Sequence, residues 1–161
     1  MRILSMFQGI VFLGLVFFVG PNWVVSDNER LGWPVWHSDL LRLFGWVLIA
    51  VGVAVMVYCS GLFRRLGEGT PVPIEPPKKL VVEGLYHYSR NPIYVADLIV
   101  LLGIFCVRGA LALLVYTGVV FALIELWVLV REEPVLRARF GEAYEDYTRR
   151  VPRWIGRRSP S

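Results

Sequence analysis

Long stretches without charge dominate the chain and predict its elements. Met1–Val25 is uncharged after Arg2, and Leu43–Phe63 is 21 residues with no charge. Ile93–Val107 is 15 residues with Asp97 as its one charge, and Ala110–Val130 is 21 residues with Glu125 alone. A helix needs about 20 apolar residues to cross a bilayer. The first, second and fourth stretches therefore predict spans. Ile93–Val107 is too short by itself and is predicted as the first arm of a helical hairpin with Ala110–Val130, turning at Arg108-Gly109. The first stretch exceeds a signal-peptide core and no small-x-small cleavage site follows it, so it is read as a span. The polar segment between the first two spans, which begins GPNWVVSDNERLGWP, reads as an outer loop over Gly20–Asp39, with Trp23, Trp33 and Trp36 as interfacial anchors.

After the last span the pattern changes. Phe140, Tyr144, Tyr147 and Val151 recur at helical spacing among charges. Pro134 suits the first turn of a new helix. The i,i+4 pairs Glu133–Arg137, Glu145–Arg149 and Asp146–Arg150 would add only about 0.2–0.5 kcal/mol each. This segment is predicted as one amphipathic cytoplasmic helix folded back on the membrane. The expected fold is all-α and integral to the membrane: a single domain over residues 1–161, with two N-terminal spans (1–63), a cytoplasmic Pro-rich loop (64–92), a hairpin (93–130) and a cytoplasmic C-terminal segment (131–161).

Composition agrees. Of 161 residues, 56% are hydrophobic, above the roughly 45–50% of ordinary soluble domains. With the N-terminus inside, four spans place 14 of the 17 lysines and arginines on the cytoplasmic side, which is the expected asymmetry. The net charge of +4 then reflects arginines beside an anionic leaflet and requires no nucleic acid. The two cysteines, Cys59 and Cys106, fall at opposite faces, and no Cys/His cluster predicts a metal site. Pro71, Pro73, Pro76 and Pro77 exclude a helix in the inner loop and predict a stiff extended path.

Charges within spans are costly and usually face a partner or a cavity. Glu125 is predicted at the inner lip of the hairpin, level with Asn91, and Asp97 deeper. Glu125, Val128, Leu129 and Glu132 share one face of an unbroken helix. That stripe is predicted to meet Tyr86, Tyr88, Arg90, Asn91 and Tyr94. Two readings stand for Glu125: part of a polar site at the cytoplasmic lip, or a salt bridge to Arg90 that holds the hairpin. Two stand likewise for Glu133, the site or its helix pair with Arg137. Asp97 reads as a structural residue or a cavity group. Phosphate-loop, Rossmann, metalloprotease and nucleophile-elbow motifs are all missing.

PPKKLVVEGLYHYSRNPIYVADLIVLLG, followed by REEPVLRARFGEAYEDYTRRVPRWI, resembles the isoprenylcysteine carboxyl methyltransferase family, above all its short bacterial members with a phospholipid-methyltransferase-like core. The likeness covers roughly Thr70–Ile155. It implies a multi-pass membrane enzyme, both termini cytoplasmic, in a bacterial inner membrane. It implies S-adenosylmethionine as methyl donor and a lipid or prenyl-type amphiphile entering from the bilayer. By motif position it implies a cofactor pocket lined by Lys79, Leu80, Val81 and Tyr86, a turn of Asn91, Pro92, Ile93 and Tyr94, and Glu132 at the cofactor's polar end. Glu132, Arg90 and Glu125 are the candidate catalytic groups. Asn91 stands where better-studied members carry histidine; an amide positions but does not titrate near neutral pH. Val128 or Leu129 stands where eukaryotic members carry a substrate-orienting arginine. The acceptor is left open between a carboxylate, which is ionised at pH 7 and needs no base, and a lipid amine, which must lose a proton. A non-catalytic scaffold that retains the pocket is the reading from another class.

Overall fold

The computed structural model describes residues 11, 13–66 and 79–156. The first ten residues, the proline-rich run Pro71–Pro77 and residues 157–161 lie outside the described residues. Among the described residues the chain is helical: α1 (Gly20–Arg30), α2 (Asp39–Leu66), α3 (Pro92–Arg108), α4 (Ala112–Trp127), α5 (Glu133–Phe140) and α6 (Glu142–Arg150). Two π-turns, Leu15–Val19 and Val128–Glu132, lead into α1 and α5, and a 3₁₀ turn spans Gly84–His87.

Two helices are long and apolar enough to cross a bilayer, Asp39–Phe63 and Ala112–Phe140. Trp46, Val57, Leu123 and Val130 on them are 58, 68, 61 and 68% exposed. A water-facing surface would not carry so many large apolar groups together, whereas lipid accepts them. The short arm, α3, has 17 residues, about 25 Å at 1.5 Å per residue, less than the roughly 30 Å hydrocarbon core.

Prolines explain both π-turns. The Gly20 N–H reaches Leu15 O and Pro21 follows; the Glu133 N–H reaches Val128 O and Pro134 follows. In an α-register a proline offers no N–H to the carbonyl four residues back, and its ring collides with that carbonyl. Widening the preceding turn carries the chain past the proline without ending the helix. Two expectations are corrected here. The stretch read as a loop is helical from Gly20 to Arg30, and Pro134 does not begin a separate helix, because α5 continues from α4 through the π-turn. The C-terminal segment is also two helices, since Gly141 at φ +50° breaks the run between α5 and α6.

The chain forms two compact units, Met1–Val53 with Asp97–Leu123, and Ala54–Ala96 with Ile124–Ser161. In the first, Asn28 is fully buried; its amide donates to Trp33 O (3.0 Å) and its carbonyl accepts from the Ala112 N–H (3.0 Å). This ties the end of α1 to the start of α4. The turn at Arg108-Gly109 occurs as expected, with Gly109 at φ +71° and its carbonyl accepting from the Trp36 N–H. Helices α2 and α3 touch at Gly45 and Gly103. A methyl added at Gly103 would lie 2.7 Å from Ile49 Cγ1 and 2.8 Å from Gly45 O. Backbones this close need small residues. Gly103→Leu should therefore lower stability by about 2 kcal/mol or more through overpacking. Thermal unfolding in detergent checks it, and a variant melting with the wild type would show that the helices part freely here.

The second unit has two small apolar clusters. Cys59, Val81 and Tyr86 pack with Phe63, Leu85 and Ile93, while Tyr144, Tyr147 and Val151 pack with Leu80, Val82, Leu136 and Phe140. The predicted aromatic stripe on the C-terminal segment is thus a core face.

Candidate functional site

The site is built in the second unit, from the segment before α3, the π-turn and the chain after α6. Helix α6 ends at Arg150, and Pro152 holds the following chain extended. That chain then runs beside Tyr88–Asn91. The Arg90 N–H donates to Pro152 O (3.0 Å) and the Gly156 N–H to Tyr88 O (3.2 Å). Ser89 Oγ and Asn91 Nδ2 both donate to Arg153 O, at 3.2 and 3.1 Å. Ser89 Oγ also accepts from the Asn91 N–H. Asn91 thus donates through its side-chain amide to the chain after α6.

Charge converges on this clasp. Arg153 Nε donates to Glu133 Oε1 (2.7 Å) and its Nη1 to Glu125 Oε1 (2.7 Å). Trp154 Nε1 donates to the other Glu125 oxygen at 2.8 Å. Arg90 Nη1 donates to Glu133 Oε1 (2.9 Å) and to Tyr144 Oη (3.3 Å). Arg137 approaches Glu133 Oε2 at 3.5 Å. The Arg90 and Glu133 side chains are only 7 and 4% exposed, so this is a buried pair in which each charge depends on the other. The Arg153 guanidinium is held charged above its usual range, first by its hydrogen bond to Glu133. Burial raises the Tyr144 and Tyr147 hydroxyls, which keeps both neutral. Tyr147 Oη donates to Tyr86 O at 2.7 Å and so fastens α6 to the 3₁₀ turn.

Glu132 stands apart. Its Oε2 accepts from Tyr94 Oη at 3.0 Å, and among the described residues no lysine or arginine pairs with it. Arg90 Nε is likewise buried without a hydrogen-bond partner.

Several expectations are now placed. Tyr94 and Glu132 meet. Arg90 meets Glu133, while Glu125 pairs with Arg153 and Trp154, so of the two readings for Glu125 the salt bridge to Arg90 is not formed. Glu133 keeps its Arg137 neighbour but gains two further cationic partners, the buried Arg90 and the half-buried Arg153. Glu145 pairs with Arg137 at 2.8 Å and Asp146 with Arg149, not with the arginines four residues on. The common face of Glu125 and Glu132 is also corrected. In an unbroken α-helix, residues seven apart point within about 20° of each other and residues eight apart differ by about 80°. The π-turn adds one residue, so Glu133 takes the place beside Glu125 and Glu132 turns toward Tyr94. Val81 and Tyr86 lie in the apolar core, Ile93 packs beside them, Leu80 joins the Tyr144 cluster, and Lys79 is exposed. Tyr88 is exposed. Asp97 belongs to the first unit and is buried, with Oδ1 unpaired among the described residues.

Sequence reasoning assigned no role to Arg153, Trp154 or Ser89. The available signal was a proline that ends a helix and is followed at once by an arginine and a tryptophan, two side chains able to reach back to acids.

Comparison with known proteins bears on what this arrangement is for. The cobalt-zinc-cadmium resistance protein CzcN of Cupriavidus metallidurans is 27% identical over 124 residues, 77% of this chain and 53% of the relative. The chain therefore spans about half the length of that relative. No solved structure matches. The family model for phospholipid methyltransferases matches residues 40–143, which include α2, Arg90, Asn91, Tyr94, the π-turn and all three acids. The likeness read from the motifs holds at the level of the family: the chain is an all-helical membrane protein that belongs to the phospholipid methyltransferase family.

Proposed function

We propose that the protein transfers a methyl group from S-adenosylmethionine to an amphiphile dissolved in the bilayer. The observation that carries this reading, beyond the family, is Glu132: a carboxylate hydrogen-bonded by Tyr94 and without a cationic partner among the described residues, next to a cluster whose other acids are neutralised. The donor set fits the cofactor. The amino-acid end of S-adenosylmethionine carries an ammonium and a carboxylate, and a lone acid together with an arginine Nε lacking an acceptor complement them. Glu132, Tyr94 and Arg90 would hold that end, with Lys79, Leu80, Val81, Tyr86, Asn91, Pro92 and Ile93 forming the surrounding wall and turn. The bound cofactor supplies a methyl already activated on a sulfonium. The chain's own contribution is alignment and exclusion of water.

For the acceptor, a carboxylate is the first reading. It needs no base, and Glu125 is already occupied by Arg153 and Trp154. The family's description favours a second, a phospholipid amine, for which Glu132 is the acid available to take the proton. Four spans with both termini at the cytoplasmic face complete the proposal, supported by the positive-inside distribution.

The test is calorimetric titration of the detergent-purified protein with S-adenosylhomocysteine, followed by labelled-methyl transfer into membrane lipids. Micromolar binding and labelled lipid are expected. No binding at millimolar ligand would leave a scaffold of the family's shape and overturn the enzyme reading.

A further inference from the structure

We propose that Arg153 is a positioning residue that selects which of three acids receives the cationic ligand. This rests on the methyltransferase reading above. Glu125, Glu132 and Glu133 crowd one short stretch of helix around the π-turn. Of the three, Glu132 alone has no cationic partner among the described residues. Glu133 accepts from both Arg90 and Arg153, and Glu125 accepts from Arg153 and Trp154. Arg153 is the common element, because its planar fork spans the two acids at 2.7 Å each. It can do so because the π-turn brings Glu133 into line with Glu125. Its backbone is fixed as well, since Arg153 O accepts from Ser89 and Asn91. The fork is therefore presented by a clasped segment, and its aim does not depend on a loose chain end.

The charges balance in a way that leaves one vacancy. Arg90 and Arg153, with Arg137 shared between Glu133 and Glu145, offset Glu125 and Glu133, and the acid left without a cation among the described residues is Glu132, hydrogen-bonded by Tyr94 and near Tyr86 and Tyr144. Without Arg153, Glu125 becomes a second carboxylate with no cationic partner among the described residues, and it competes with Glu132 for an ammonium. Arginine is required for geometry as well as charge: a lysine is a point charge and cannot bridge both acids.

The inference separates charge selection from mere scaffolding. Arg153→Gln should weaken S-adenosylhomocysteine binding at least tenfold in calorimetry. Adding Glu125→Gln should restore affinity to within about threefold, because Arg90 still offsets Glu133 and Glu132 is again the one unbalanced acid. Arg153→Lys should fall between. Melting temperature should stay lowered in the double variant, since the bonds from the Arg153 side chain to Glu133 and residue 125 remain lost. Affinity that follows melting temperature, with no recovery on adding Glu125→Gln, would overturn the inference while leaving the cofactor reading intact. Absence of binding in the wild-type protein would overturn both.

Discussion

Glu132→Gln should leave a folded protein that transfers methyl groups at least about 100-fold more slowly at limiting S-adenosylmethionine, the consequence of removing one charge-assisted contact worth about 3 kcal/mol. The substitution keeps the shape of the side chain and its capacity to accept from Tyr94, so packing is preserved. What it removes is the one charge among the three acids of the site that no arginine of the described residues offsets. Stability should stay level or rise, because burying an unpaired carboxylate is unfavourable. Tyr94→Phe should produce a smaller loss in the same direction, since the acid keeps its charge and loses only its anchor. The checks are cofactor titration and labelled-methyl transfer, with melting temperature as the fold control. A Glu132→Gln protein that binds and turns over like the wild type would remove Glu132 from the site.

Arg90→Met should destabilise the protein by about 3–5 kcal/mol, the usual consequence of breaking a buried ion pair from one side. Glu133 is 4% exposed and would retain Arg153 and, at 3.5 Å, Arg137. Tyr144 would lose its donor and the clasp one of its two charged anchors. The Arg90 N–H to Pro152 O hydrogen bond belongs to the backbone and persists, so the segment should loosen without detaching. Thermal unfolding in detergent measures the effect. The contrast with Glu132→Gln is what matters: the first acid's loss should cost function at constant stability, and the arginine's loss should cost stability first. A variant as stable as the wild type would mean that Glu133 is adequately served by Arg153 and Arg137.

These two expectations concern neighbouring acids, and the difference between them was not legible in the residues. Glu132-Glu133 reads as a pair, and helical spacing assigns Glu132 to the face of Glu125. The error has one cause. Pro134 forces a π-turn, which adds a residue and exchanges the two acids. Pro21 does the same at Leu15–Val19. A proline within an apolar helical run is thus a usable signal, but its outcome, a break or a widened turn, is decided by whether flanking packing keeps the helix going. The loop misread at Gly20–Arg30 has the same origin. Its polar residues resemble a connection, yet Asn28 finds a buried carbonyl and a buried N–H, and the helix persists.

The ion pairs show the same limit. Helical spacing puts Glu145 near Arg149, but Gly141 breaks the run between α5 and α6, and Glu145 meets Arg137. Surface pairs at i,i+4 are worth so little that tertiary neighbours displace them without penalty.

What the sequence determined by itself is the class of molecule. Uncharged runs of membrane length demand helices, because backbone groups in hydrocarbon must be satisfied within their own segment, and the two motifs carried the family. The aromatic spacing from Phe140 to Val151 also located the C-terminal core face. The tertiary structure decided how the charges are shared. Which arginine meets which acid depends on angles accumulated through a π-turn and a glycine break, and on a chain end returning to residues more than sixty positions earlier. Local pattern carries no record of either, since a charge is specified by its sign in the sequence and by its partner only in space.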